Sequence, residues 1–244
     1  YLVALRAAKH VRKGRTWPEH LASLLGELEA ELKGALARKE VRSGVSEDLR
    51  AFNTWFSQQL AGKLALRVRA VEVPSMRFGV EAIAPIGAGE VYLSVPPGAM
   101  LDRDSALESE LGPAVLEVRE YFGRGDPFHE LLLHLLHERF VRRETSRWWP
   151  YLRLLPDTPS LNAPYFLEEE ALREALGPSA IVPAVKKQRQ EIHSKYSQIM
   201  VRLLEHVAFF RQVADAFSFA RYEWATFILN TRSIWWHGER HLVP

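Results

Sequence analysis

The 244-residue chain contains no cysteine. That excludes disulfides, thiolate zinc ligands and a cysteine nucleophile, while leaving the cellular compartment open. Long apolar runs are missing as well. No stretch approaches the ~20 apolar residues that span a bilayer as a helix, so a soluble chain without a membrane span is expected. Charge of one sign is scarce: the formal net charge of +2 is too small to argue for a nucleic-acid partner, and none is expected. There is no internal repeat, no low-complexity tract and no Ser-His-Asp arrangement. Gly87-Ala88-Gly89 is too short to cradle a phosphate and reads as a turn. No signal peptide is visible; since the chain begins at Tyr1, a processed or partial product is the expectation.

What is present is an ordinary globular composition, 47% hydrophobic and 25% charged, enough for one large domain or one domain with a sizeable insert. Arg6, Lys9, His10, Arg12, Lys13 and Arg15 read as a solvated basic arm, with a docking tail as the alternative. Thr16 and Glu19 form a capping-box pattern around Pro18, and Leu21, Leu24, Leu25, Leu28, Leu32 and Leu36 follow on one helical face. Gly44 and Ser46 interrupt, and a new helix is expected near Glu47 with Phe52, Trp55 and Phe56 as its apolar face.

Leu64 to Val95 reads as short twisted antiparallel strands. Within it, RFGVEAIAPIGAGEVYLSVPPGAML (Arg77 to Leu101) gives a glycine turn, a strand, a tight turn at Gly87-Ala88-Gly89-Glu90, and a strand closed by Pro96-Pro97. Val91, Leu93 and Val95 alternate with Tyr92 and Ser94, the period of a half-buried strand. After Leu101 the period becomes helical as far as Phe219. Asp126-Pro127 predicts the cap of a helix over 128–141, and Gly177-Pro178 ends a short helix over 168–176. Val185, Ile192, Tyr196, Ile199, Leu203, Val207 and Phe210 predict one long amphipathic helix, with Lys186-Lys187-Gln188-Arg189 as its solvated face.

Two clusters invite other readings. His129-Glu130 and His134 suggest zinc, but these histidines are five apart and do not share a helical face; His134 and His137 do, with Glu138 nearby, yet no third ligand follows at a recognisable spacing. A structural helix without metal is expected. Trp235-Trp236-His237-Gly238 reads as a hairpin turn, with a peptide-binding edge as the alternative.

Four pieces then carry a resemblance: Phe52 to Trp55 as "F-x-x-W"; the Phe78-Gly79 and Gly89-Glu90 strand segment ending at Val95-Pro96; the leucine-rich helix and Ser146-Arg147-Trp148-Trp149-Pro150-Tyr151-Leu152 with Leu154-Leu155-Pro156; and Tyr222-Glu223-Trp224-Ala225 followed by Thr231-Arg232-Ser233. In this order they resemble the SET-domain protein methyltransferases of the RuBisCO large-subunit lysine methyltransferase-like class, which carry a helical insert. The resemblance implies an α+β fold: SET-type small twisted β-strands, a large α-helical insert and an N-terminal helical extension. It divides the chain into an arm and helix over 1–50, a first SET part over 51–103, the insert over 104–218 and the start of a second SET part over 219–244.

The resemblance further implies S-adenosylmethionine as cofactor, no metal, and methyl transfer to a lysine, or less readily a histidine, of a protein substrate. Met76, Phe78, Gly79 and Thr231 fall on cofactor-binding positions; Arg232 and Ile234 fall on the substrate channel. The family's Asn-His pair and channel tyrosine follow a "[hydrophobic]-Pro" and are expected downstream of Pro244. Residues 1–244 alone are therefore expected to be inactive and to bind the cofactor weakly or not at all. Two positions depart from the pattern. Arg77 stands where glycine is usual and narrows a close backbone approach; Met76 replaces an acidic residue that would meet the cofactor's ammonium. They keep an alternative open, a catalytically degenerate subunit of a larger multiprotein complex. The compartment stays open too: intracellular, cytoplasmic or organellar, the chloroplast included.

Overall fold

The structure, a computed structural model, describes residues 46–60, 66–74, 76–122, 127–161, 163–237 and 239–244. The basic arm, the 16–36 helix pattern, Gly44, Leu64, Asp126 and Gly238 lie outside the described residues. The chain divides into two compact units, Val68–Pro85 with the residues up to Glu47, and Asp48–Arg67 with Ile86–Pro244.

Among the described residues the first unit contains one hairpin. β1 (Val68–Val73) pairs antiparallel with β2 (Arg77–Ala82), in a register that sets Val73 opposite Arg77 and Val71 opposite Gly79. Arg69 and Glu81 face each other across the pair, joined by hydrogen bonds of 3.1 and 2.9 Å, an exposed ion pair that pins register more than it stabilises.

The second unit is helical. α1 (Glu47–Gln59) buries Phe52 and Phe56 of the expected face together with Leu49, while Trp55 is only half-buried. The turn at Gly87 follows as read: the Glu90 amide donates to the Gly87 carbonyl, and Gly89 takes a φ of 77°, which glycine adopts without strain. Val91 to Val95 departs from expectation. Among the described residues the segment belongs to no ladder and one backbone bond, from Arg67 N to Tyr92 O at 3.3 Å, holds it; Val91 and Tyr92 are exposed. Alternation reports which side chains face the same way, not whether a neighbouring strand is there to pair.

Helices then succeed one another: α2 (Arg103–Leu107), α3 (Gly112–Phe122), α4 (Pro127–Leu136), α5 (Trp149–Leu152), α6 (Glu169–Leu176), α7 (Ile181–His206), α8 (Ala208–Val213) and α9 (Phe219–Arg232). α4 is the hub. Its Leu131, Leu132, Leu133, Leu135 and Leu136 are all buried, as in a helix apolar around its whole circumference, and it touches α2, α3, α9 and the final strand. The pattern read as one helix to Val141 instead loosens into a π-turn, His137–Arg142. The long helix pattern also breaks. Val207 takes extended backbone (φ −116°, ψ 102°), and the Arg211 guanidinium donates to the freed carbonyls of Leu204 and Glu205 at 2.6 and 2.7 Å, so Phe210 sits on a separate helix. The chain closes with β3 (Ser233–Trp236) and β4 (Glu239–Leu242), an antiparallel pair whose β4 also bridges Leu101.

Candidate functional site

The candidate positions fall in two places, one in each unit. In the first unit, Met76, Arg77, Phe78 and Gly79 lie together where the hairpin turns into β2. The Met76 amide donates to Val73 O (3.1 Å) and the Phe78 amide to Met76 O (2.9 Å), a three-residue turn centred on Arg77. Arg77 has a φ of 68°. That left-handed conformation costs an L-residue about 1–2 kcal/mol, which is the physical reason a glycine suits this position. The Arg77 guanidinium lies over the Phe78 ring at 4.9 Å. Thus the arginine is exposed and stacked on Phe78, and Met76 is exposed. Gly79 has no room for a side chain: a Cβ there would lie 2.7 Å from Val73 Cγ2.

In the second unit, Thr231 and Arg232 end α9 and Ile234 lies on β3. The Thr231 hydroxyl donates back to Phe227 O at 2.7 Å and accepts from Arg232 Nη1 at 2.7 Å. Its direction is therefore set by the helix end, with acceptor capacity remaining. Ser233 Oγ donates to Leu229 O and accepts from Arg240 Nη1 at 3.1 Å, tying the start of β3 to β4. Beyond it Ile234, Trp235 and Trp236 are exposed in succession, with Arg240 5.3 Å above the Trp235 ring. The turn reading of Trp235-Trp236-His237 is met. The register pairs Trp236 with Glu239, a two-residue connection in which His237 has a φ of 49°.

The motif residues of the helical region turn inward. Trp148, Tyr151 and Leu155 are buried. Trp148 Nε1 donates to Ala99 O at 3.1 Å, and the Tyr151 ring packs 6.3 Å from Phe52. Burial pushes the Tyr151 hydroxyl's pKa upward, against the opposing pull of Arg232. Trp224 Nε1 donates to Pro156 O at 2.7 Å, so two motifs distant in sequence meet directly.

The histidine-rich helix packs into the core of its unit. Glu130 receives two bonds from Arg119, both 3.0 Å, and His129 stacks on Tyr222 with centroids 6.4 Å apart. His134 Nε2 lies 3.1 Å from Ser105 Oγ, and burial pushes its pKa down to about 4. Among the described residues no group of three or more His, Cys, Asp or Glu side chains is placed to hold a metal ion. No described helix is long and apolar enough to cross a membrane. Arg189, read as solvated, instead donates to the Tyr165 carbonyl (3.0 Å from Nε), a contact that charge patterning alone does not reveal.

No protein-family model matches the chain. Among curated proteins it is 29% identical to an actin-histidine N-methyltransferase of Danio rerio over 90% of this chain and 35% of that protein. It is also 31% identical to the N-lysine methyltransferase SETD6 of Homo sapiens over 52% of this chain and 26% of that protein. The chain thus spans about a third or less of these relatives. Among solved structures it matches the SET domain of LSMT bound to methyllysine and AdoHcy, with a TM-score of 0.65 and 23% identity, over 82% of this chain and 44% of that one. RuBisCO LSMT bound to sinefungin and monomethyllysine matches with a TM-score of 0.62 and 22% identity over 78% and 41%.

Proposed function

Since the chain has the fold of the LSMT SET domain with its helical insert, and its curated relatives are SET-domain methyltransferases, we propose that it forms part of an S-adenosylmethionine-dependent protein methyltransferase, with lysine as acceptor. The observation that carries this reading is the likeness in fold and in sequence to methyltransferases of this kind; Gly79, packed on Val73, stands at the position where the resemblance puts the cofactor. On this reading residues 104–218 are the insert and 219–244 begin the second SET part.

When bound, S-adenosylmethionine supplies an electrophilic methyl on a sulfonium sulfur. The residues fit such a ligand. Gly79 carries no side chain to obstruct a ligand, and Phe78, covered on one face by Arg77, has its other face to offer to an adenine. Thr231, held by Phe227 and Arg232, offers a fixed hydroxyl oxygen. The acceptor amine must be neutral to attack in line. Leaving water costs an ammonium more than an amine, so an acceptor taken into a closed channel is favoured in that form. Positioning, rather than a covalent intermediate, is then the chief source of rate.

The test is methyl transfer by the natural full-length product from tritiated S-adenosylmethionine to a lysate, with the labelled residues identified by mass spectrometry. Label on lysine supports the proposal. Label confined to histidine keeps the methyltransferase reading and moves the acceptor. Absence of label, with acceptors from several species, favours the second reading, a degenerate subunit of a protein complex. Arg77 held left-handed and Met76 without a carboxylate are the observations on that side.

A further inference from the structure

Arginine is concentrated at one place in the helical unit. From the π-turn His137–Arg142 that continues α4, through a 3-10 turn over Arg143–Thr145, to the start of α5, the chain carries Arg139, Arg142, Arg143 and Arg147. Among the described residues none of these four has a carboxylate oxygen within 4 Å. The acids of the segment are Glu138, which is buried, and Glu144. Arg139 is half-buried, 5.1 Å over the Trp149 ring. Burial, with the like charges of Arg143 and Arg153, pulls its pKa below the ordinary value, against the opposing pull of Glu144. Arg153 already pairs with Asp48. The cluster therefore crowds positive charge onto one segment without the counter-charges that usually accompany it.

The backbone gives an independent sign. Arg143 is exposed and takes a φ of 51° and a ψ of −124°, its amide donating to the Glu138 carbonyl as the π-turn closes. Glycine adopts such a conformation freely, and an arginine there is strained. Strained residues gather at ligand sites, and π-turns within helices are frequent there too. Arg147, also exposed, lies 3.9 Å over the ring of buried Trp148, which holds its guanidinium in place. A planar guanidinium held in this way matches a carboxylate with two parallel hydrogen bonds. Single-stranded nucleic acid, by contrast, stacks its bases on open rings. Here Trp148 is buried and Trp149 is half-buried beneath Arg139, so the rings form no such platform.

We propose that this arginine cluster is a docking surface for an acidic segment of a partner protein, whose Asp or Glu carboxylates accept charge-assisted hydrogen bonds from Arg143 and Arg147. The surface is independent of the methyltransferase reading. It is tested with the natural full-length protein and a fluorescein-labelled deca-glutamate peptide, by fluorescence anisotropy, with a labelled ten-residue oligothymidylate as the rival polyanion. The peptide is expected to bind saturably, and Arg143→Gly/Arg147→Glu to weaken it about tenfold, equivalent to about 1.4 kcal/mol. Where that pair impairs folding, Arg143→Gly alone serves: glycine suits the positive φ, and losing this one charge should weaken the peptide about threefold. Lys187→Glu, a charge reversal on the solvated stretch of α7, should change the affinity by no more than about twofold. No peptide binding at millimolar concentration would overturn the proposal. So would binding that the arginine variants leave unchanged, as if carried by the basic arm, or binding that Lys187→Glu weakens equally. Oligothymidylate bound tenfold more tightly than the peptide would overturn it in favour of a nucleic acid.

Discussion

Cγ2 of Val73 occupies the space that a side chain at Gly79 would need: a Cβ there would sit 2.7 Å from it. The two strands of the hairpin are thus fitted to each other through a missing methyl group. Gly79→Ala is expected to destabilise the protein by about 1–3 kcal/mol, in the range of overpacked sites. Trimming the neighbour in Gly79→Ala/Val73→Ala should recover much of that loss, with a coupling of about 1 kcal/mol. Urea denaturation of the four proteins checks it; strictly additive losses would mean the clash is relieved elsewhere.

Arg77 supplies the second expectation. Glycine removes the left-handed strain, but it also widens the unfolded ensemble by about 0.4–1 kcal/mol and gives up a cation–π contact of about 0.5–1 kcal/mol. Arg77→Gly should therefore change stability by no more than about 1 kcal/mol, while Arg77→Ile, β-branched at positive φ, should cost more than that. Denaturation midpoints decide, and an isoleucine variant as stable as the native protein would contradict the backbone assignment.

His134 makes stability depend on pH. Its folded-state pKa is pushed down to about 4, chiefly by burial, with His137 and Arg147 acting in the same direction and Glu138 and Asp102 against it; Ser105 and Trp148 complete its surroundings. The unfolded chain takes the proton first, so the stabilisation is full above the unfolded value near 6.5 and is lost as pH falls towards 4. At pH 5 the loss is about 2 kcal/mol. His134→Phe should flatten that part of the stability profile between pH 7 and 5, measured by urea unfolding at each pH; an unchanged slope would place the titration elsewhere.

Tyr151→Ala tests the inward packing of the aromatic segment. The ring is buried against Phe52, so its removal should cost about 3 kcal/mol or more. Unchanged melting behaviour would contradict the placement.

These positions also show what could be read from the sequence alone. Trp148, Tyr151 and Leu155 were legible as core because dense aromatics beside prolines have few other uses. The turn at Gly89 was legible because it needs a residue that tolerates positive φ, and the one after Trp236 because a glycine stands at 238 in the sequence. The break at Val207 was not, since apolar periodicity runs through it and the Arg211 side chain that satisfies the broken end acts from outside the pattern. Nor was the unpaired state of Val91 to Val95, which depends on a partner strand and not on its own residues. The left-handed turn at Arg77 was hidden by its residue type: the resemblance marked the departure from glycine, and only the backbone angle shows what glycine does there.

Cofactor binding is the property on which the proposed methyltransferase function stands or falls. Calorimetric titration of the natural full-length product with S-adenosylhomocysteine should give one site per chain. Thr231→Val, which keeps the shape and removes the hydroxyl, should weaken binding about tenfold, the effect of losing roughly 1.4 kcal/mol. Arg77→Gly should bind at least as tightly as the native protein. No detectable binding, or binding indifferent to Thr231→Val and to Gly79→Ala alike, would contradict the account.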